Sequence, residues 1–462
     1  MLLYKNHESK AIQCNKIYEI LSANNIKDLA LSMGSCIRTR KFNLAAFIST
    51  IASHMSLQKK SNSFTLIQSY DIYNKNMGDN TMSYRCIYNQ ISKEKSVDVV
   101  YELLVNTMNM IAKQYMDLLK KDNNLLSMLL KMLNVKDIII IDGTEIQTRE
   151  STTSFLGNNH KGRNKLDGTQ AKPSIKAHFA ISYVTQSIVN LSFTEGVASE
   201  RDQVCLDNIK DCLIIADRGY ISENLFNKLE ESNNYFLIRA RANSTGSIIS
   251  AIVDGKEDPK LKDTSVNKFI ARKSLADFKI KTKNNNELRL IQAPVPTSSK
   301  DNKNNYCRFY TNMPQDIINA ANVARLYRLR WTIEIFNKAL KQGCNFESIN
   351  SSNKNIVLFF LMLSILTALH KIAVANIAKI RLGMFFISTL KLFCLDEFEK
   401  LFKAYTKGKS TVYKVINKLV NIIKDKCVKS KPSRRDELLL KDQELLIKII
   451  ISSQNNTYNN SI

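Results

Sequence analysis

The spacing of apolar and polar positions divides the chain into three parts. Up to about residue 130, apolar residues recur at intervals of three and four, as in 17–33 and 96–133, which predicts amphipathic helices. From about residue 136, short β-branched runs alternate with turn-forming residues. Helical spacing returns in the strongly apolar segment 356–402. The pattern therefore predicts an α/β core between two helical regions.

Two uninterrupted apolar runs in the middle of the chain predict buried central strands. They cover residues 136–144 and 211–220 and contain Asp142 and Asp217 where the apolar residues end. Between them, two alternating segments joined by two residues predict a β-hairpin. The hairpin strands are expected at 174–184 and 187–195, a helix at 222–231, and further strands at 235–242 and 307–312.

Three strands followed by alternating helices and strands are the order of a ribonuclease H-like α/β fold. Residues 243–305 interrupt this order with polar sequence and short strand-like pieces, which predicts a β-rich insertion of about this extent. We expect a helical N-terminal region at 1–133, an α/β domain at 134–372, and a basic helical C-terminal region with a disordered tail at 373–462.

Two short helical patterns flank a turn at Gly78 in the N-terminal region. This arrangement resembles a DNA-binding helix-turn-helix. Helices joined by a glycine turn are also common in ordinary helical packing, and Arg85 is the only basic residue of the second helix before Lys93. The pattern therefore favours ordinary helical packing over a DNA-binding helix-turn-helix.

The charge balance points to a polyanionic partner. The chain of 462 residues has 67 Lys and Arg against 42 Asp and Glu, a formal net charge of +25. Such a surplus attracts nucleic acid first, with a membrane surface or an acidic protein as alternatives. A compositional bias towards Lys, Asn and Ile would give the same surplus without any functional meaning. The length suggests two or three domains.

The nine cysteines are scattered and form no CxxC pair, which argues against a disulfide framework and a structural zinc site. The first ten residues have no signal-peptide core. The longest uncharged run, 356–369, is closed by His370 and Lys371 and is short for a membrane span. We therefore expect a cytoplasmic protein without a membrane partner.

One helical segment, 327–341, carries polar residues in a narrow line. At about 100° per residue, four polar side chains fall within an arc of about 60°, beside the apolar stripe. An ion pair between Arg330 and Glu334, at positions i and i+4, would explain two of them. The full set is Tyr327, Arg330, Glu334 and Lys341.

Asp142, Asp217 and Glu334 together have the composition of a two-metal phosphoryl-transfer site. Either aspartate alone is better explained as part of a turn or as a helix cap. Three carboxylates from two strand ends and one helix provide the hard oxygen ligands that Mg²⁺ prefers. Two ions about 3.5–4 Å apart can activate an attacking oxygen and stabilise a leaving one.

Three motifs resemble those of the cut-and-paste DDE transposases of bacterial insertion sequences. They are IDGT at 141–144, ADRGY at 216–220 and YRLRWTIEIFNKALK at 327–341. The third is similar at all four positions to the Y-(2)-R-(3)-E-(6)-K signature of that family. FLIRA at 236–240 and YTNMP at 310–314 are similar to the segments that flank its β insertion. The likeness covers roughly residues 136–370.

This resemblance implies a role for each motif residue. Asp142, Asp217 and Glu334 would bind two Mg²⁺ ions, for which Mn²⁺ substitutes. The expected DNA-binding residues are Tyr327, Arg330 and Lys341 at the transposon-end phosphates, then Arg218 and Arg239, and Trp331, which either stacks on DNA or packs. Some relatives stack a flipped base on an aromatic residue of the insertion, but 243–305 contains no tryptophan. His178 is expected to be a packed histidine and not a metal ligand.

The resemblance also implies a function. The expected protein is a DNA transposase that binds inverted repeats, cleaves the ends, and joins them to double-stranded target DNA. The family works as a homodimer that pairs two ends. Three alternatives remain open: a nuclease of the same fold that does not join DNA, a non-catalytic DNA-binding protein derived from a transposase, and a structural protein whose basic charge reflects composition alone.

Overall fold

The structure is a computed structural model. The description covers residues 14–35, 42–57, 64–78, 81–121, 125–148, 173–196, 198–204, 206, 208–241, 243–269, 273–294, 306–347, 349–383, 387–428, 447–448 and 450–451. Three parts of the sequence predictions lie outside these residues. They are the N-terminal ten residues, much of the basic C-terminal region, and the tail predicted to be disordered.

Ten strands form one mixed sheet, and two short strands pair elsewhere. The β-branched runs supply the central strands because such side chains fit a surface that is buried on both faces. The short pair is β1 (Phe64–Thr65) with β12 (Ile349–Asn350). The sheet contains β2 (Asp137–Gln147), β3 (Ser174–Ser182), β4 (Ile188–Glu195), β5 (Cys212–Ala216), β6 (Tyr235–Ala240), β7 (Ser247–Val253), β8 (Lys256–Glu257), β9 (Ala276–Lys281), β10 (Glu287–Pro294) and β11 (Tyr306–Thr311).

The first half of the sheet has the topology of a ribonuclease H fold. Its strand order is β4-β3-β2-β5-β6. The first three strands form an antiparallel meander, whereas β5 runs parallel to β2 and β6 parallel to β5. The predicted fold class, an α/β ribonuclease H-like core with flanking helices, is therefore confirmed.

The β-rich insertion continues this sheet and does not form a separate one. The order beyond β6 is β11-β10-β9-β7-β8, and all of these pairings are antiparallel. An ion pair connects two strands of the insertion: Arg289 Nη2 on β10 lies 2.7 Å from Asp277 Oδ2 on β9. Arg289 Nη1 also donates to the carbonyl oxygen of Met313 at 2.9 Å, which ties the insertion to the chain after β11.

Fourteen α-helices are labelled here, and residues 14–21 are also helical. The N-terminal ones are α1 (Ala23–Ser32), α2 (Leu44–Met55), α3 (Leu66–Met77), α4 (Tyr84–Ile91), α5 (Glu94–Ala112), α6 (Tyr115–Lys121) and α7 (Leu125–Leu133). The remaining ones are α8 (Glu223–Glu231), α9 (Ala320–Leu326), α10 (Trp331–Gly343), α11 (Lys354–Leu382), α12 (Thr389–Phe393), α13 (Glu399–Tyr405) and α14 (Lys409–Ile423). The predicted helix pair around Gly78 is α3 and α4.

Helix α11 is the centre of the helical part of the molecule. It packs against α2, α5, α6, α12 and α14, so N-terminal and C-terminal helices share one buried cluster with it. By length and composition, α11 could cross a membrane, but 94% of its most apolar window is buried inside the protein. It runs through residue 372, where the sequence suggested a domain boundary.

The helix continues past His370 and Lys371 because both side chains find partners inside the protein. The Nδ1 atom of His370 lies 3.0 Å from the carbonyl oxygen of Leu366. Lys371 Nζ donates to three carbonyl oxygens, those of Ser56 at 2.8 Å, Gly343 at 3.1 Å, and Phe393. A buried cation is tolerated when such acceptors surround it.

The segment that leads into α10 differs from the continuous helix predicted from the sequence. Helix α9 ends at Leu326, and Tyr327–Arg330 form a 3₁₀ turn before α10 begins at Trp331. A 3₁₀ helix has about three residues per turn. The angles expected for a regular α-helix therefore do not hold between Tyr327 and Arg330.

Candidate active site

The parallel pairing of β2 with β5 brings the two aspartates to the same level of the sheet. Ile140 on β2 is the register partner of Ile215 on β5. Asp142 and Asp217 each follow two residues later in strands that run in the same direction. Neighbouring strands lie about 4.8 Å apart. The register therefore places Asp142 and Asp217 side by side, but only Asp217 follows the end of its strand, because β2 continues past Asp142 to Gln147 and remains paired with β3.

Helix α10 covers the sheet face that carries Asp142. Side chains alternate along a strand, so Asp142 continues the face of Ile138 and Ile140, which share a buried cluster with Ile333 of α10. The amide nitrogen Nδ2 of Asn337 on α10 lies 3.4 Å from Asp142 Oδ2. Glu334 is three residues earlier and projects from the same side of the helix.

Tyr327 joins the 3₁₀ turn to the second aspartate. Its hydroxyl donates to Asp217 Oδ1 at 3.4 Å, and its ring lies 4.8 Å from the ring of Phe309 on β11. Burial raises the pKa of Tyr327, which keeps the hydroxyl protonated and able to donate.

Arg330 and Glu334 form the i,i+4 ion pair that the sequence allowed. The guanidinium of Arg330 also lies over the Tyr327 ring, 5.9 Å from its centroid. The pair has limited exposure, 14% for the arginine side chain and 32% for the glutamate. Glu334 thus lies beside the aspartates with its carboxylate engaged by an arginine.

The electrostatics of Asp142 reveal how closely the acidic groups are gathered. Burial raises its pKa to about 7, and the negative charges of Glu200 and Glu334 add to the rise while Arg330 opposes it. Like charges within a few ångströms disfavour ionisation of one another. Asp142 is therefore within electrostatic reach of two other carboxylates.

Glu200 was not predicted from the sequence. It begins a 3₁₀ turn, Glu200–Asp202, in the segment between β4 and β5. Its carboxylate pairs with Lys176 on β3 at 3.3 Å. An acidic residue in a polar loop shows no apolar periodicity that would identify it. The only signal in the sequence was indirect, namely Gly143 and Gly219, which come shortly after Asp142 and Asp217.

Lys341 is not with the other signature residues. It pairs with Glu347, beyond the end of α10. Seven residues of α-helix separate it from Glu334, which is about 10 Å along the axis. The four-residue line predicted from the sequence is thus divided. Tyr327, Arg330 and Glu334 lie near the aspartates, whereas Lys341 lies near the far end of the helix.

The other predicted residues occupy different surroundings. Trp331 is half-buried at the start of α10. His178 is buried and has its Nε2 atom 2.7 Å from Thr194 Oγ1. Burial lowers its pKa to about 4. It is therefore a neutral, packed histidine, as expected.

Arg218 and Arg239 line a cleft of about 700 Å³ beside Asp217. Arg218 is exposed and Arg239 half-buried. Arg308 lies over the ring of Tyr306 at 5.1 Å from its centroid, so the cleft combines an aromatic surface with guanidinium groups. We call it the arginine cleft; it is lined by Glu200, Asp217, Arg218, Gly219, Arg239, Ala240, Arg241, Asn243, Tyr306, Cys307 and Arg308.

Comparison with known proteins identifies the family. Residues 133–369, just over half of the chain, match the family described as "Transposase DDE domain". The chain belongs to the DDE transposase family. The family's ribonuclease H-like core agrees with the order of β2 to β6. No curated protein matches the chain.

One solved structure similar to this DDE transposase family member is a cryo-EM structure of the piggyBac transposase synaptic complex with hairpin DNA. It is 11% identical, with a TM-score of 0.43, and the match covers 94% of this chain and 85% of the other.

DDE transposases generally use divalent metal ions, and the donors of the site suit such ions. Carboxylate oxygens are the preferred ligands of Mg²⁺ and Mn²⁺. In the arrangement described, Arg330 engages Glu334. Among the residues that the structure describes, no group of three or more His, Cys, Asp or Glu is arranged to hold a metal ion. The donor types nevertheless fit a divalent cation.

Proposed function

We propose that the chain is a cut-and-paste DNA transposase of the insertion-sequence type with the Y-(2)-R-(3)-E-(6)-K signature. It would bind inverted repeats, cleave the transposon ends and join them to target DNA. The observation that supports this most is the placement of Asp142 and Asp217 at the same level of adjacent parallel strands, under the helix that carries Glu334. Family membership supports the same reaction class.

In this proposal, Asp142, Asp217 and Glu334 hold two divalent cations, Mg²⁺ or Mn²⁺. When bound, such ions lower the pKa of an attacking water and stabilise a leaving oxygen. The protein's own contribution is to orient the carboxylates. Tyr327 holds Asp217 through its hydroxyl, and Asn337 contacts Asp142.

In this proposal, Arg330 has two alternative partners, Glu334 and a DNA phosphate. While Glu334 is paired with it, the arginine is neutralised. With Glu334 engaged by a cation, the guanidinium of Arg330 would be available for a DNA phosphate, which it could contact in bidentate fashion. The other proposed DNA contacts are Tyr327, Lys341, Arg218, Arg239 and Trp331.

The remaining regions of the chain are also assigned roles in this proposal. We propose that region 1–133 binds the transposon ends, that 134–372 is the catalytic domain, and that 373–462 adds basic contacts to DNA or to a second subunit. A homodimer would pair two ends in the cytoplasm. The net charge of +25 would add a sequence-independent attraction to all of these DNA contacts.

The test uses the DNA that flanks the coding region, placed on a donor plasmid with purified protein, Mg²⁺ and a target plasmid. We expect cleavage at the ends and joined products. Glu334→Ala should lower the cleavage rate by about a thousandfold or more, because metal stabilisation of transition-state charge is worth several kcal/mol. Binding to the end DNA should change little.

Glu231→Ala is the matched control, because it removes an exposed carboxylate on α8. Cleavage retained in Glu334→Ala would contradict the assignment of the metal ligands. Cleavage without joined products would identify a nuclease of the same fold. Binding without cleavage by the unaltered protein would identify a non-catalytic DNA-binding protein.

A further inference from the structure

Glu200 occupies a space that two glycines leave open. A Cβ atom built at Gly219 would lie 2.8 Å from Glu200 Oε2, and one built at Gly143 would lie 3.2 Å from Glu200 Oε1. Real Cβ atoms essentially never approach another heavy atom within 3.0 Å, so a side chain at 219 would displace the carboxylate. Gly143 directly follows Asp142, and Gly219 lies two residues after Asp217. One carboxylate therefore lies against both backbone segments that carry the proposed metal ligands, strand β2 at Gly143 and the 3₁₀ turn Arg218–Tyr220.

Glu200 approaches from the sheet face opposite α10. Side chains alternate along β2, so a Cβ at Gly143 would point to the face of Ile139 and Ile141, which pack in a different buried cluster from Ile138 and Ile140. Glu334 approaches the two aspartates from one face of the sheet, and Glu200 approaches them from the other.

Glu200 combines an ion pair with a position close to other carboxylates. Lys176 is its ion-pair partner, and the pair has limited exposure, 14% for the lysine side chain and 29% for the glutamate. Burial raises the pKa of the Tyr220 hydroxyl, and the charges of Glu200, Asp142 and Asp217 raise it further. All three carboxylates therefore lie around this one buried tyrosine.

We propose that Glu200 is a fourth acidic residue of the site, a positioning residue that supports the backbone after Asp142 and after Asp217 and strengthens the binding of a divalent cation by these aspartates. This inference rests on the proposed function. A cation between the aspartates would relieve the repulsion among these carboxylates. Residues that orient metal ligands from outside typically change metal affinity by about 10- to 100-fold.

The first test measures Mn²⁺ binding to the full-length protein without DNA, using electron paramagnetic resonance of free Mn²⁺ and the rise in melting temperature. Glu200→Gln keeps the shape and removes the charge. We expect its Mn²⁺ dissociation constant to increase at least about tenfold. Its metal-free melting temperature should stay within about 2 °C of the unaltered protein, as for other substitutions outside the core. Glu231→Gln on α8 is the control and should change neither value.

The second test uses the glycine. Gly219→Ala meets the far end of a flexible side chain, so the fold should accept it while the Glu200 carboxylate is displaced. We expect Gly219→Ala alone to weaken Mn²⁺ binding nearly as much as Glu200→Ala does. Adding Gly219→Ala to Glu200→Ala should weaken it no further, because the displaced group is already gone.

Three outcomes separate this inference from the proposed function. Asp142→Asn should remove most Mn²⁺ binding; if it does and Glu200→Gln has no effect, the role of Glu200 is wrong and the site stands. If Gly219→Ala is equally harmful with and without Glu200, the glycine acts through the backbone and the inference also fails. If neither the unaltered protein nor Asp142→Asn binds Mn²⁺, the proposed metal site and the role of Glu200 are both wrong.

Discussion

The hydroxyl of Tyr327 is a single group that connects the 3₁₀ turn to Asp217. Tyr327→Phe removes this hydrogen bond and keeps the ring contact with Phe309. We expect DNA cleavage to slow about tenfold, because hydrogen bonds to charged groups contribute at least about 1.5 kcal/mol. Stability should be nearly unchanged in thermal unfolding. Tyr101→Phe, an exposed tyrosine on α5, is the control; an equal loss in both variants would argue against a role for Tyr327.

Asp137 is a buried carboxylate away from the proposed chemistry, and it predicts a pH dependence of stability. It accepts from Ser182 Oγ at 2.5 Å, and burial raises its pKa to about 7, well above the ordinary 3.8 of an aspartate. Between these values, the folded state binds more protons than the unfolded state. The free energy of unfolding contributed by this group is therefore fully present below about pH 4 and is lost as the pH rises through 7.

The neutral variant Asp137→Asn should lack this dependence. We expect the free energy of unfolding of the variant, relative to the unaltered protein, to rise between pH 4 and pH 7 and then level off. Urea denaturation at a series of pH values measures the difference. A difference that is constant across this range would show that Asp137 has an ordinary pKa in the folded protein.

At the scale of helices and strands, Lys371 of α11 holds three segments together through carbonyl oxygens. Lys371→Met should keep the volume and leave those carbonyls without a donor. We expect a loss of about 2–4 kcal/mol in the free energy of unfolding, measured by urea denaturation. Lys418→Met on the exposed face of α14 should change it by less than about 0.5 kcal/mol. A small effect at Lys371 would mean that water replaces the ammonium group.

The local sequence pattern was sufficient to predict the central strands and the hairpin. Strands β2 and β5 are buried on both faces, which requires the continuous β-branched runs seen in the sequence. The insertion could not be placed in the same way. Its position in the sheet depends on β11, which lies between β6 and β10 and pairs with residues far away in sequence. Short alternating strands carry no information about such partners.

The candidate site was predictable to the extent that its residues lie on regular elements. Asp142 and Asp217 follow the buried apolar runs of β2 and β5, although β2 extends beyond Asp142 to Gln147, and Glu334 has a helical register. The contact of Lys341 with Glu347 depends on how the chain turns after α10, which periodicity does not encode. Glu200 lies in a loop, and only the space beside Gly143 and Gly219 connects it to the aspartates. Likewise, the 3₁₀ turn at Tyr327–Arg330 has no distinct pattern of apolar positions.

At the scale of the whole molecule, the net charge of +25 predicts DNA binding that depends strongly on salt. A protein that neutralises six to ten phosphates loses about 10³- to 10⁵-fold in affinity between 50 and 200 mM salt. We expect a loss in this range for a duplex of arbitrary sequence, measured by fluorescence anisotropy. Affinity that is insensitive to salt would favour compositional bias as the source of the charge.

The arginine cleft should account for part of this salt dependence. Arg218 and Arg241 are both exposed in it. The double variant Arg218→Gln, Arg241→Gln should reduce the slope of log affinity against log salt by about 0.9 for each phosphate that the protein no longer neutralises. Lys256→Gln with Lys260→Gln, two exposed positions in the insertion outside the cleft, is the charge-matched control. Equal slopes in the two double variants would mean that the cleft has no special part in binding.

The way β11 returns to the sheet has a consequence for how this architecture can vary. Ala240 at the end of β6 is the register partner of Arg308 on β11, so the chain leaves for the insertion and re-enters at almost the same place. A short turn could join the two strands directly, and a segment of different size could be grafted there without altering the order of β2 to β6. Any replacement would need to cover β11, which otherwise becomes an unpaired edge. The insertion is in this sense an exchangeable module on a constant framework.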